Sequence, residues 1–161
     1  MASMRNSSSD LYERDYYAWL QDQVRALRER RIEDVDWENV AEEIEGLSNS
    51  ERRAIESQLA RLAEHLLKFQ YSRGMSRDYN ARGWRVTVKG ARFAIQRLLK
   101  QSPSLRLTLA EMLPDAYYAG RLGALRDPEL SENELPVSSP WTVEQVMDDS
   151  FLPGDVAATP D

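Results

Sequence analysis

Cysteine is missing from all 161 residues. That excludes disulfides, thiolate metal sites, iron–sulfur ligation and cysteine nucleophiles, and it makes a cytoplasmic location the expectation. Histidine is nearly missing too, since His65 is the only one. No apolar run approaches the ~20 residues needed to span a membrane. The opening MASMRNSSSD carries no apolar stretch of the signal-peptide kind. P-loop, Rossmann, Gly-x-Ser-x-Gly and His-Glu-x-x-His patterns are all lacking, which disfavours nucleotide-cofactor enzymes. There is no internal repeat, no useful alternating stretch and no Asn-Gly hairpin signal, so strands are not expected.

What is present is charge laid out in blocks. The net charge is −6. Residues 1–60 hold 8 Lys/Arg against 14 Asp/Glu, residues 61–106 hold 11 against 2, and residues 107–161 hold 2 against 11. A basic block of this kind suits an anionic partner. It equally suits acidic and basic helices that pack side by side and screen one another. The length fits one domain, able to bury roughly two thirds of its unfolded surface without a disulfide or a metal.

The periodicity predicts an all-α, single-domain bundle of about five main helices, with residues 1–9 and 154–161 disordered and the bundle over 10–126. Asp10 and Glu13 open the first helix, whose stripe is Tyr12, Tyr16, Trp19, Leu20 and Leu27. Asp36 caps a second, with Trp37, Val40, Ala41, Ile44 and Leu47 on one face and Gly46 as its stop. Ser48 and Glu51 read as the capping box of a third, carrying Ile55, Leu59, Leu62, Leu66 and Phe69. Residues 73–84 read as a loop. The fourth helix follows with Trp84, Val88, Ala91, Ile95, Leu98 and Leu99 on its apolar side and Arg92 nearest that stripe. Ser102-Pro103 starts the fifth, which Pro114 is expected to kink or split and which Gly120 and Gly123 weaken. Residues 127–153 form a proline- and acid-rich strap that closes the domain's own apolar groove and ends in a short helix capped by Thr142.

Several pieces in this order resemble a known bacterial family, domain of unknown function 29, across nearly all of residues 11–153. They are Tyr12-x-x-Asp15-x-x-Ala18-Trp19-Leu20, Asp36 with Glu42, Glu43 and Glu45, and His65-Leu66-Leu67-Lys68. Trp84-x-x-Thr87, Arg92 and Ser102-Pro103-Ser104-Leu105 complete the set. The chain departs from the family pattern at Gly83, before Trp84, where serine is usual. The resemblance implies a helical fold and no established activity.

Three functional readings follow from the residues. In the first, the chain is an interaction or accessory module for a protein partner, and the charged residues of the second, third and fourth helices form a paired central layer. Glu42 and Glu45 would then pair with Lys68, Arg92 or nearby arginines, and His65 would pack at the core edge. In the second, the basic residues of 73–106 bind nucleic acid, with Tyr71 and Tyr79 as the aromatics free to stack and Lys68, Trp84 and Arg92 as further candidates. A sequence pI of about 5.0 weighs against it. In the third, Glu42, Glu45 and His65 make a metal-dependent hydrolase or nuclease. Bundle metal sites use Glu-x-x-His twice. With one histidine, and leucine at position 62 three residues before it, no metal and no cofactor are expected.

Overall fold

The computed structural model describes residues 10–154. Both stretches expected to be disordered, save Gly154, lie outside the described residues. The described residues form helices and turns without a strand, so the all-α expectation holds. The helices are α1 (Tyr16–Arg28), α2 (Trp37–Tyr71), α3 (Gly74–Gln101), α4 (Leu109–Ala124) and α5 (Val143–Met147), and residues 10–14 add a short helical stretch before α1. The chain divides into two compact units between Ser50 and Glu51.

In the first unit, the helix expected from Asp10 breaks at Asp15. That carboxylate accepts from the Ala18 backbone N–H at 3.0 Å and so caps α1. The buried face of α1 is Trp19, Gln23 and Ala26, spaced four and three residues apart. Its end is a Schellman turn: the Arg31 N–H bonds the Ala26 carbonyl and the Arg30 N–H bonds the Leu27 carbonyl. Arg30 occupies the left-handed position (φ 57°) where glycine is usual.

Gly46 does not stop a helix and Ser48 does not start one. α2 runs unbroken for 35 residues. A glycine ends a helix when it turns left-handed; Gly46 keeps a negative φ, and the helix formers Ala41, Glu42, Glu43 and Glu45 precede it, so it stays helical at a cost of ~1 kcal/mol.

In the second unit, Ile55, Leu59, Leu62, Leu66 and Phe69 of α2 are buried, as their spacing predicts. Ile55, Leu59, Leu62 and Leu66 meet Val88, Ala91, Ile95 and Leu99 of α3 and Met112, Ala116 and Tyr117 of α4 in one core, while Phe69 packs against Trp84. The expected loop at 73–84 shrinks to Ser72 and Arg73, and Gly74 opens α3 with φ +61°. The polar residues that suggested a loop bond back into the helix instead: Asn80 donates to the Ser76 carbonyl and Thr87 to the Gly83 carbonyl.

Pro103–Thr108 is a 3₁₀ helix, so the interruption of the fifth predicted helix falls at Thr108, before Pro114 rather than at it. α4 runs through Pro114 because the carbonyl that loses its partner belongs to Ala110, an exposed residue of the first turn. Gly120 lies against the α2 backbone. An added Cβ there would sit 2.5 Å from the Ala60 carbonyl oxygen.

The strap buries Leu130, Leu135 and Trp141. Arg121 reaches back to the Glu132 carbonyl at 2.7 Å, and the Tyr117 hydroxyl donates to the Pro136 carbonyl at 2.8 Å. Thr142 and Gln145 form the predicted capping box of α5.

Candidate functional site

The seam of α3 that faces away from the core is the most distinctive surface. Met75, Tyr79, Arg82, Val86, Lys89, Phe93, Arg97 and Lys100 fall within about 40° of one line down the helix at 100° per residue. All eight are exposed, Tyr79 by 82%, Val86 by 66% and Phe93 by 67%. The three apolar side chains recur at intervals of seven with cations between them, along about 37 Å of helix. Among the described residues, Arg82, Lys89, Arg97 and Lys100 make no ion pair. Phe93 is therefore a free aromatic that its position in a core-forming helix concealed. Tyr71 reverses the expectation and packs half-buried against the core. The seven-residue spacing of Tyr79, Val86 and Phe93 was the sequence signal for this face.

A second exposed seam lies on the first part of α2. Trp37, Val40, Ile44 and Leu47 alternate at three and four residues, and Trp37, Ile44 and Leu47 are each more than half exposed. Beside Trp37 is an apolar depression of about 160 Å³ lined by Ala26, Leu27, Arg30, Ile32 and Val35. Residues 36–51 hold six carboxylates and no Lys or Arg.

Glu43 differs from its neighbours. Its carboxylate accepts from the Tyr12 hydroxyl at 2.6 Å and from the Tyr16 hydroxyl at 2.7 Å. Those two bonds lower the Glu43 pKa, and the bond to Glu43 pushes the Tyr12 phenol up to about 12. Next to it, the Trp19 indole N–H and the Asn39 amide both donate to Asp36, whose own N–H donates to Gln23. The tyrosine and aspartate pieces of the sequence motif thus come together as a clamp between α1 and the start of α2. Glu42 and Glu45 stay outside it and are exposed.

The candidate trio divides between the two units, with Glu42 and Glu45 in the first and His65 in the second. His65 is half-buried, and its Nδ1 lies 2.8 Å from the Arg61 carbonyl, so this nitrogen carries the proton. Burial lowers its pKa, leaving it neutral at physiological pH. Among the described residues, no group of three or more His, Asp and Glu side chains could hold a metal. Lys68 pairs with Glu64 at 2.6 Å rather than with Glu42 or Glu45.

Arg92 and Trp84 face inward. Trp84 is buried and meets Phe69 edge-on, with centroids 5.9 Å apart. Arg92 is 1% exposed, and its guanidinium donates to the Val146 carbonyl at 2.9 Å and the Phe151 carbonyl at 2.7 Å. Burial pushes its pKa down, and the charges of Asp149 and Asp148 push it back up. It binds the end of this chain instead of the expected glutamates, as a charged side chain that receives two hydrogen bonds' worth of compensation for its burial.

Residues 11–152 match the family described as domain of unknown function DUF29. The chain belongs to that family. No curated protein and no solved structure matches it. In this DUF29 chain, no helix among the described residues is long and apolar enough to cross a membrane.

Proposed function

We propose that this DUF29 chain is an interaction module that binds a helical, acidic segment of a protein along the exposed seam of α3. The observation that carries this reading is the exposed ladder Tyr79, Val86 and Phe93, set at intervals of seven between Arg82, Lys89 and Arg97. A partner helix presents its own side chains every three and four residues, so an apolar ladder of this period takes it in register while the cations select acidic flanks. Stacked bases need rings at the spacing of successive nucleotides. Tyr79 and Phe93 are about 21 Å apart on the helix, with a valine between them. The spacing therefore favours a protein helix over the nucleic-acid alternative.

The test is fluorescence anisotropy with two labelled probes: a designed amphipathic peptide with a leucine seam and glutamate flanks, and an oligothymidine strand. The peptide is expected to bind, to weaken at least about tenfold in Val86→Glu or Phe93→Ser, and to weaken further between about 0.05 and 0.5 M salt. Binding of the oligothymidine with no binding of the peptide would transfer the face to nucleic acid.

A further inference from the structure

We infer that the acidic helix taken by the α3 seam is the first part of α2 from a second copy of this chain, so that the protein forms a dimer through two reciprocal contacts. The inference rests on the proposed function and names the partner of the same face.

Three observations on the two surfaces point to each other. The first is charge. Residues 73–101 carry eight cations against one acid, Asp78, while residues 36–51 carry six acids and no cation. Like-charged seams repel, so α3 against α3 and α2 against α2 are both disfavoured, and the unlike pairing remains.

The second is periodicity. Trp37, Val40, Ile44 and Leu47 follow the three-and-four spacing of a helix that packs against another helix. Tyr79, Arg82, Val86, Lys89 and Phe93 follow the same spacing on α3. Trp37, Ile44 and Leu47 of the first seam and all five residues of the second are exposed, with Val40 half-buried. The acidic seam spans about 15 Å from Trp37 to Leu47 and the basic seam about 37 Å from Met75 to Lys100, so the shorter fits within the longer.

The third is shape. The depression beside Trp37, about 160 Å³ and lined by apolar side chains together with Arg30, has room for one large side chain. The basic seam offers an exposed phenyl ring, Phe93, to fill it. Exposed apolar patches of this kind are the usual sign of a contact surface.

Each copy holds one surface of each kind. A pair of copies, each laying its acidic seam on the other's basic seam, leaves neither surface over. Glu38 and Glu45, one residue beyond Trp37 and Ile44, are exposed and make no ion pair among the described residues, so they are available to the partner's Arg82 and Lys89.

The decisive experiment is sedimentation velocity on the full chain with two charge-reversed variants. One carries Glu38→Lys and Glu45→Lys, the other Arg82→Glu and Lys89→Glu. The wild type is expected to sediment as a dimer in low salt. Each variant alone should lose at least tenfold in self-association. An equimolar mixture of the two should recover the dimer, because in the mixed pair both contacts again join unlike charges. Recovery also shows that both variants are folded, and circular dichroism checks each of them separately. A wild type that stays monomeric at high concentration overturns the inference. So do variants that remain helical and fail to recover on mixing, or a dimer that neither reversal weakens. If the designed acidic peptide still binds the α3 seam while the chain stays monomeric, the proposed function stands and only the second copy is excluded.

Discussion

The Glu43 carboxylate takes hydrogen bonds from two phenols on the preceding helical segments, and this makes it the most constrained of the four glutamates in its stretch. The bonds persist only while the phenols hold their protons and the carboxylate lacks one. Tyr12 ionises at about 12 in the folded chain against an ordinary value of 10.0. Its contribution to folding is thus full below pH 10 and is lost as the pH climbs through 12. The Glu43 pKa is lowered from 4.5, so its contribution is present above that value and is lost as the pH falls through the folded value. Nuclear magnetic resonance titration of ring-labelled tyrosine should return Tyr12 towards 10 in Glu43→Gln. Tyr117, raised to about 12 by burial, should not move. A Tyr12 that still titrates near 12 in that variant would show that Glu43 is not the cause. At this scale the sequence was readable in part. Arg92 was visible as the cation nearest an apolar stripe, and it is buried. The partners of Glu43 and Arg92 were not visible, because they lie 27 and 31 residues away for Glu43 and 54 and 59 for Arg92, and no local spacing encodes them.

Helix existence was legible throughout, since each buried face follows a period near 3.6 residues and tertiary packing uses that face. Helix limits were less so. Gly46, Ser48 and the polar run 73–84 carry the residue types of caps and loops, yet a cap also needs a turned backbone and a free donor or carbonyl to satisfy. Continuous α2 supplies neither at Gly46. Gly120 and Gly123 look alike in the sequence and differ in their surroundings. A Cβ on Gly120 meets the α2 backbone at Ala60 and Glu64, at 2.5 and 2.8 Å. A Cβ on Gly123 meets the far end of the Glu64 side chain at 2.6 Å, which can swing aside. Gly120→Ala is expected to cost at least about 1–3 kcal/mol by overpacking. Gly123→Ala should cost less than about 1 kcal/mol, its lost flexibility on unfolding offsetting the displaced side chain. Urea unfolding of the two variants checks this, and equal losses would mean that α2 and α4 are not in close approach at Gly120.

Across the whole molecule, charge is segregated in blocks along the chain, while in the second unit Lys68 pairs with Glu64 four positions away and Arg121 with Glu132 eleven positions away. The contacts that hold the C-terminal segment differ widely in reach. Arg121 and Tyr117 bond to residues 11 to 19 positions away, whereas Arg92 bonds to residues 54 and 59 positions away. Closing a longer loop costs more entropy, so the strap is expected to settle first beside α4 and the Arg92 bonds to form last on the way to the folded state. Bonds that form after the folding barrier govern how fast the chain opens and leave its rate of closing alone. In stopped-flow measurements, Arg92→Met is expected to unfold about tenfold faster or more and to refold within about twofold of the wild-type rate. Refolding slowed in proportion to the lost stability would place Arg92 within the folding nucleus instead. The lifetime of the closed C-terminal segment is then set by one guanidinium and two carbonyls.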